Sequence, residues 1–213
     1  FTGEVDTIEI DLEQSKVFAP NSPGSAEDTL ASIENVQILN TSINFNLVGD
    51  NNKNILLASA GNDTLFGGEG EDALYGGKGN DIFYASNGAN DYQRGDFYFG
   101  GLGEDALIYS SIQSNDQNIL GFIEYDARNL VTGTFSNGVQ SFGLDNLHSI
   151  KGYDLVGEIL HQAYVADIEA IVGTDGDDKF YGSNKTSAFD NHIQLNALGL
   201  NDEAYEAFAP NLG

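Results

Sequence analysis

Asp63, Asp72 and Asp81 recur at intervals of nine residues; Asp72 and Asp81 each close a short glycine-rich run, and Asp105 closes another. Carboxylates brought together this way repel one another. Two like charges about 4 Å apart cost roughly 4 kcal/mol at an effective dielectric near 20. A hard dication reverses that sign. Ca²⁺ takes about six to eight oxygen ligands, and a glycine-rich turn can aim backbone carbonyls at an ion where Cβ atoms would obstruct. Mg²⁺ fits less well, because it holds a tight octahedron and keeps its waters. The chemistry indicated is cation binding coupled to folding, with an apo form that folds poorly.

Other chemistries find little support. Of 213 residues, 33 are acidic and 8 basic, a formal net charge of −25. A surface of that sign repels nucleic acid and anionic lipid, so neither is expected as a partner. Cysteine is absent, which excludes disulfides and thiolate metal sites and fits secretion without disulfide formation. No apolar run is long enough to span a bilayer, and no insertion into a membrane is expected. His148, His161 and His192 lack metal-ligand spacing, and each reads as a surface or half-buried residue. No H-E-x-x-H, G-x-S-x-G, P-loop or dinucleotide fingerprint occurs, so no catalytic residue is assigned. The tripeptide "RGD" at 94–96 resembles an integrin-recognition motif, but so short a match arises by chance. The run "DFYFGG" (96–101) offers Phe97 and Phe99 as a sugar-stacking platform, against the simpler reading that an adjacent segment covers them.

The elements that position the aspartates follow from the period. "ASAGNDTLF" (58–66), "GGEGEDALY" (67–75) and "GGKGNDIFY" (76–84) align as consecutive nine-residue units, and "GGLGEDALI" (100–108) is a further copy. A large apolar residue keeps the same step through Ile38, Leu47, Leu56, Leu65, Leu74 and Phe83. Each unit divides into a six-residue turn and a three-residue strand whose middle side chain faces inward. Such strands cannot stand alone, so the units must stack, two to a coil of eighteen residues, into two short parallel sheets face to face. The expected core ladder is Leu56, Leu65, Leu74, Phe83, Tyr98 and Leu107, if the long segment 85–99 ends in a strand at Phe97 to Phe99. A flexible Gly/Asp linker would have no reason to keep that apolar position.

The pattern GGxGxDxUx, with U a large apolar residue, resembles the RTX nonapeptide repeat of secreted bacterial proteins, which binds Ca²⁺. Close copies cover 58–84 and 100–108, with degenerate ones at 37–57 and 173–190. The resemblance implies ligands on the motif aspartates and on carbonyls of the motif glycines. Here these are Asp63, Asp72, Asp81 and Asp105, with Gly61, Gly68, Gly70, Gly77, Gly79, Gly101 and Gly103. Turns two repeats apart lie on one side of the roll. So 58–63 should face 76–81, and 76–81 should face 100–105; across the roll, 49–54 should face 67–72, and 67–72 the enlarged turn 85–96. Asn54 stands where an Asp is wanted, which predicts a weak or missing site there. The enlarged turn offers both Asp91 and Asp96, and spacing does not choose between them. Asp178 lies in an isolated repeat, "GTDGDD", whose successor "GSNKTS" lacks the Asp, and its site is left open. Glu71 and Glu104 should point to solvent. The variable turn residues Ser59, Glu69, Lys78 and Leu102 form no regular row, which disfavours ice binding.

The flanks are similar to segments that accompany such repeats: "AEDTLASIENVQIL" (26–39) and "ADIEAIVGTDGDDKF" (166–180) to lead-ins, and 123–142 to strand-hairpin spacers. The expected organisation is a lead-in β segment (1–36), the β-roll (37–108), a β-hairpin spacer with a short helix (109–170), and a second partial repeat block with a C-terminal cap (171–213). The helix is expected where Leu155, Ile159, Leu160 and Tyr164 fall at helical spacing, and another over "EAYEAFA" (203–209). The fold class is thus all-β: a parallel β-roll with an appended β-hairpin region and short capping helices. The chain reads as a piece of a longer extracellular or cell-surface protein of bacterial type. Its expected partners are calcium ions and either other domains of that protein or further copies of itself. The segment is not an enzyme on this reading. It is a structural or assembly module of an adhesin or surface-layer protein, or else the non-catalytic calcium module of a secreted enzyme or the repeat region of a toxin.

Overall fold

The computed structural model describes residues 7–19, 28–39, 42–85, 95–109, 120–136, 141–154, 158–174, 178–181 and 203–204. Regular structure among them is entirely β. At the start, β1 (Thr7–Asp11), β2 (Lys16–Phe18) and β3 (Asp28–Thr29) pair antiparallel as a small ribbon. The repeats then give β4 (Asn35–Gln37), β5 (Asn44–Val48), β6 (Ile55–Leu57), β7 (Thr64–Phe66), β8 (Ala73–Lys78), β9 (Ile82–Tyr84), β10 (Asp96–Leu102) and β11 (Ala106–Ile108). Odd-numbered β5, β7, β9 and β11 neighbour one another in one parallel sheet, and β4, β6, β8 and β10 do so in the other. The chain alternates between two sheets, as the nine-residue period requires. β1 lies parallel to β5 and attaches the ribbon to the first sheet.

Register carries the middle residue of each three-residue strand, and its counterparts in the longer strands, into the space between the sheets. Leu47 pairs with Leu65, Leu65 with Phe83 and Phe83 with Leu107; opposite them Leu56 pairs with Leu74 and Leu74 with Tyr98. All seven are at most 1% exposed, so the expected ladder is present rung for rung. Burying each such side chain is worth roughly 1.5–3 kcal/mol, and only stacking makes the burial possible. The six extra residues of the long segment are absorbed before β10, since Tyr98 still meets Leu74. The ladder does not continue through Ile38, however. Val36 pairs with Leu56, so the step at the entry is twenty residues, and Ile38 packs against the core from beyond the strand end.

Beyond the repeats come β12 (Leu120–Ser136), β13 (Ser141–Asp154), β14 (Ile159–Ala166), β15 (Ala170–Val172), β16 (Lys179–Tyr181) and β17 (Glu203–Ala204). β12 and β13 form the expected hairpin, with register shifts along it. It joins the second sheet, whose order runs β17-β16-β12-β13-β14-β10-β8-β6-β4. The helix expected around Leu155 to Tyr164 is absent over the described part. Residues Ile159–Ala166 are a strand held on both sides, by β10 and by β13. Two hydrogen-bonded ladders outweigh a short match to helical spacing, and burial alternates from His161 to Val165 as a strand demands. Of the second expected helix, Glu203–Ala204 pair with β16 as a strand, and the rest lies outside the described residues.

The two sheets differ on their outer faces. On the second sheet Ile55, Ala73, Phe97 and Leu147 form a second buried cluster, with Phe99, Val131 and Tyr164 against it. Phe97 stacks on Tyr164 at 5.0 Å between ring centres. Phe97 is therefore covered, as the simpler reading expects, while Phe99 is half-buried beside the exposed Tyr75. On the first sheet the outer residues Ile82 and Tyr84 are exposed, as Tyr75 is on the second.

Candidate metal centres

Each turn takes its shape from glycine. Gly77 and Gly79 sit at φ 111° and 113°, a region that L side chains rarely adopt. A Cβ on them would stand 2.2 Å from the Ser59 carbonyl oxygen and 2.0 Å from that of Gly61. The turn 76–81 thus lies directly against 58–63. Gly101 and Gly103 meet the carbonyl oxygens of Gly77 and Gly79 in the same way, and Gly68 and Gly70 those of Asp50 and Asn52. Gly61 meets the carbonyl of Ile43. Every glycine singled out in the sequence therefore lies where a neighbouring turn's backbone presses closest, and the turns stack two repeats apart.

The aspartates form continuous columns along both sides of the roll. On one side the Phe45 N–H donates to Asp63 Oδ1 at 2.7 Å, the Asp63 N–H to Asp81 Oδ1 at 2.7 Å, and the Asp81 N–H to Asp105 Oδ1 at 2.8 Å. On the other, the Asn54 N–H donates to Asp72 Oδ1 at 2.8 Å and the Asp72 N–H to Asp96 Oδ1 at 2.9 Å. Asp96, not a more distant residue of the long turn, holds the motif position; Asp91 lies outside the described residues. Asp63, Asp72, Asp81, Asp96 and Asp105 are all at most 1% exposed. The carboxylate of "RGD" is thus hidden, bonded to Asp72 N–H and to the Tyr98 hydroxyl at 2.9 Å, and is not displayed to a receptor.

What remains of each carboxylate distinguishes the turns. Oδ2 of Asp81 and of Asp105 is buried with no hydrogen-bond partner. These two oxygens stand 2.1 and 2.4 Å from where a Cβ on Gly76 and Gly100 would be, so the motif's first glycine leaves room for them. Asp63 Oδ2 receives only a long bond, 3.4 Å, from the Ser59 N–H. Burial, reinforced by the charges of Asp105 and Asp63, pushes the Asp81 carboxyl up to about 7 against donation from the Asp63 N–H. Burial likewise raises Asp105 to about 6, with Glu169 and Asp167 adding repulsion. Asp63 is raised by burial as well. Asn54, by contrast, is satisfied by protein. Its Oδ1 accepts the Asp50 N–H at 2.8 Å and its Nδ2 donates to the Glu34 carbonyl at 3.0 Å. Asp178 accepts the Ile123 N–H and the Thr174 hydroxyl on Oδ1, and the Thr174 N–H on Oδ2.

The donor set fits a hard cation. Buried anionic oxygens without donors face turns crowded with carbonyl oxygens, and sulfur and nitrogen ligands are missing. Among the described residues no three Asp, Glu or His side chains converge. A cation here would draw on aspartates of neighbouring turns and on backbone carbonyls. On one side an ion would lie between Asp63 and Asp81 or between Asp81 and Asp105, with the carbonyls of Gly61, Gly77 and Gly79; on the other, Asp72 and Asp96 supply the carboxylates.

Several neighbours escaped the sequence reading. Asn44, Asn62 and Asn80 form a second ladder beside the aspartates: Asn44 Oδ1 accepts the Asn62 N–H, and Asn62 Oδ1 the Asn80 N–H, both at 2.8 Å. The signal was available, since Asn62 and Asn80 share one motif position. Glu71 does not simply point to solvent but ion-pairs with Lys53, eighteen residues earlier; Glu104 is exposed as expected. His161 is 1% exposed rather than half-buried, with Nε2 3.2 Å from the Tyr109 hydroxyl. Burial lowers it to about 4, so it is neutral at pH 7. His148 meets the Tyr125 hydroxyl at 2.7 Å, and His192 lies outside the described residues.

The RTX calcium-binding nonapeptide repeat family matches residues 48–91 and 166–184, in four copies. No curated protein matches the chain. Repeats of this family bind Ca²⁺. Residues 48–91 and 166–184 thus match RTX calcium-binding nonapeptide repeats, which are structural calcium-binding units, and they lie in an all-β fold.

Proposed function

We propose that the module is a calcium-triggered fold that assembles outside the cell, as the structural or assembly part of a larger secreted or surface protein of adhesin or surface-layer type. The observation that carries this reading is the pair of buried, donorless Oδ2 atoms of Asp81 and Asp105. Leaving such atoms buried costs about 1–3 kcal/mol each, more when charged, so the roll is held back until a cation arrives. Ion binding and folding are then one free energy. At low cytosolic calcium the chain stays loose, which suits export in an unfolded state; at extracellular calcium it closes.

Adding Ca²⁺ to the chelator-stripped chain should give a cooperative rise in β circular dichroism. Full β signal and an unchanged melting temperature without calcium would sink the proposal. Light scattering during the same titration separates the roles: an assembly module self-associates as calcium rises, and the calcium module of a secreted enzyme stays monomeric.

A further inference from the structure

The column containing Asp63, Asp81 and Asp105 does not end at the last close repeat. Ala106 pairs with Ala170 and Leu107 with Ile171, which sets Glu169 beside Asp105 just as Asp105 lies beside Asp81. Its carboxylate behaves accordingly. Glu169 Oε2 accepts the Asp105 N–H at 2.8 Å, the bond that Asp105 Oδ1 makes to the Asp81 N–H at the same distance. Residues 166–169, "ADIE", open the second stretch that the repeat family matches, yet they have neither the glycines nor the length of a repeat turn.

A second feature of this segment points towards an ion. Asp167 takes a left-handed conformation, φ 53°, which aspartate tolerates better than most residues. Its carbonyl oxygen lies 1.8 Å from where a Cβ on Gly100 would stand, and the donorless Asp105 Oδ2 lies 2.4 Å from that same point. A backbone carbonyl and a buried, unpartnered carboxylate oxygen therefore converge over Gly100, with the Glu169 carboxylate alongside. Oxygen donors of these kinds suit a hard divalent cation.

We propose that the closing end of the roll holds a further Ca²⁺ site of mixed origin: Asp105 from the last turn, with the Asp167 carbonyl and the Glu169 carboxylate from the segment between β14 and β15. The site rests on the calcium reading above and adds a task to it. The ion would clamp the returning chain, about sixty residues further on, against the end of the roll.

The test counts calcium by native mass spectrometry on the full chain at saturating free Ca²⁺. Glu169→Gln keeps an acceptor for the Asp105 N–H but loses the charge, and should bind one ion fewer than the unmodified chain. Glu104→Gln, an equal change of charge at an exposed neighbour, should keep the full count. An undiminished count in Glu169→Gln, or an equal loss in Glu104→Gln, overturns the site. Should Glu169→Gln fail to fold, crystals of the unmodified chain grown with calcium decide. An anomalous peak beside Asp105 Oδ2, the Asp167 carbonyl and Glu169 supports the site, and peaks at other turns with none here overturn it alone. Calcium nowhere in the chain overturns the underlying calcium reading together with this site.

Discussion

Asp81 in the roll and Asp178 in the later repeat occupy the same motif position and are equally hidden, at 1% and 0% exposure. Their surroundings part company at the motif's second residue. In "GGKGND" that residue is Gly77, and Asp81 keeps an oxygen with no donor. In "GTDGDD" it is Thr174, whose hydroxyl and N–H both donate to Asp178. The first arrangement leaves a buried anion in need of a cation, and the second supplies protein donors in its place. A motif aspartate by itself therefore does not measure demand for calcium. The donors around it do.

Exchanging the charge at each position is the strongest way to break this comparison. Asp81→Asn in saturating calcium should lose the worth of an ion, about 3 kcal/mol at a hundredfold excess over its dissociation constant. In chelator the sign should reverse, because a repelling buried charge is gone. Asp178→Asn should show neither the large loss nor the reversal. Urea titrations in the two buffers check both variants, and equal responses would erase the distinction.

Acidity probes the same difference without substitution. The folded-state carboxyls of Asp81 and Asp105 stand at about 7 and about 6, above the ordinary value of 3.8. A raised folded pKa contributes stability below the unfolded value and loses it as pH climbs through the folded one. Without calcium, the melting temperature should therefore fall as pH rises from about 4 to about 7. With calcium the trend should invert, since protons compete with the ion for the same oxygens. Asp81→Asn should flatten the calcium-free trend, and a slope unaffected by that change would contradict the assignment.

Smaller effects sharpen the comparison from the satisfied side. Thr174→Val removes the hydroxyl donor to Asp178 and should cost about 1.5–3 kcal/mol, the usual worth of a hydrogen bond to a charged group. The loss should appear in urea melts with calcium present or absent. Asn54→Asp should cost about 1–3 kcal/mol in chelator, because a buried carboxylate would replace the Nδ2 donor to the Glu34 carbonyl and the Asp50 carboxylate, and the loss should be partly recovered in calcium. Calorimetric calcium titrations of that variant measure the recovery.

The roll was legible because its determinants repeat. Leu65, Leu74 and Phe83 at one spacing, and Asp63, Asp72 and Asp81 at another, define strands, turns and stacking before any tertiary contact is known. Where repetition stops, local pattern misled. Ile38 keeps the nine-residue step, yet the chain inserts two residues before β6 and gives the rung to Val36. The stretch 159–166 carries helical spacing, but its state was settled by β10 and β13, which lie far away in sequence. Glu169 was missed for a related reason. Its role follows from a strand pairing across sixty-four residues, which the likeness of 166–180 to a lead-in segment does not reveal.

The coil of eighteen residues also gives the roll a parity. Because successive repeats feed opposite sides, a pair of nonapeptides can be added or removed with every aspartate still facing its column and Glu169 still closing it. A single added nonapeptide would move every later turn to the other side and leave Asp105 across the roll from its closing partner. Lengths that this architecture tolerates are therefore counted in even steps, and an odd step has to be made good by a detour, as any chain returning to the wrong sheet must be.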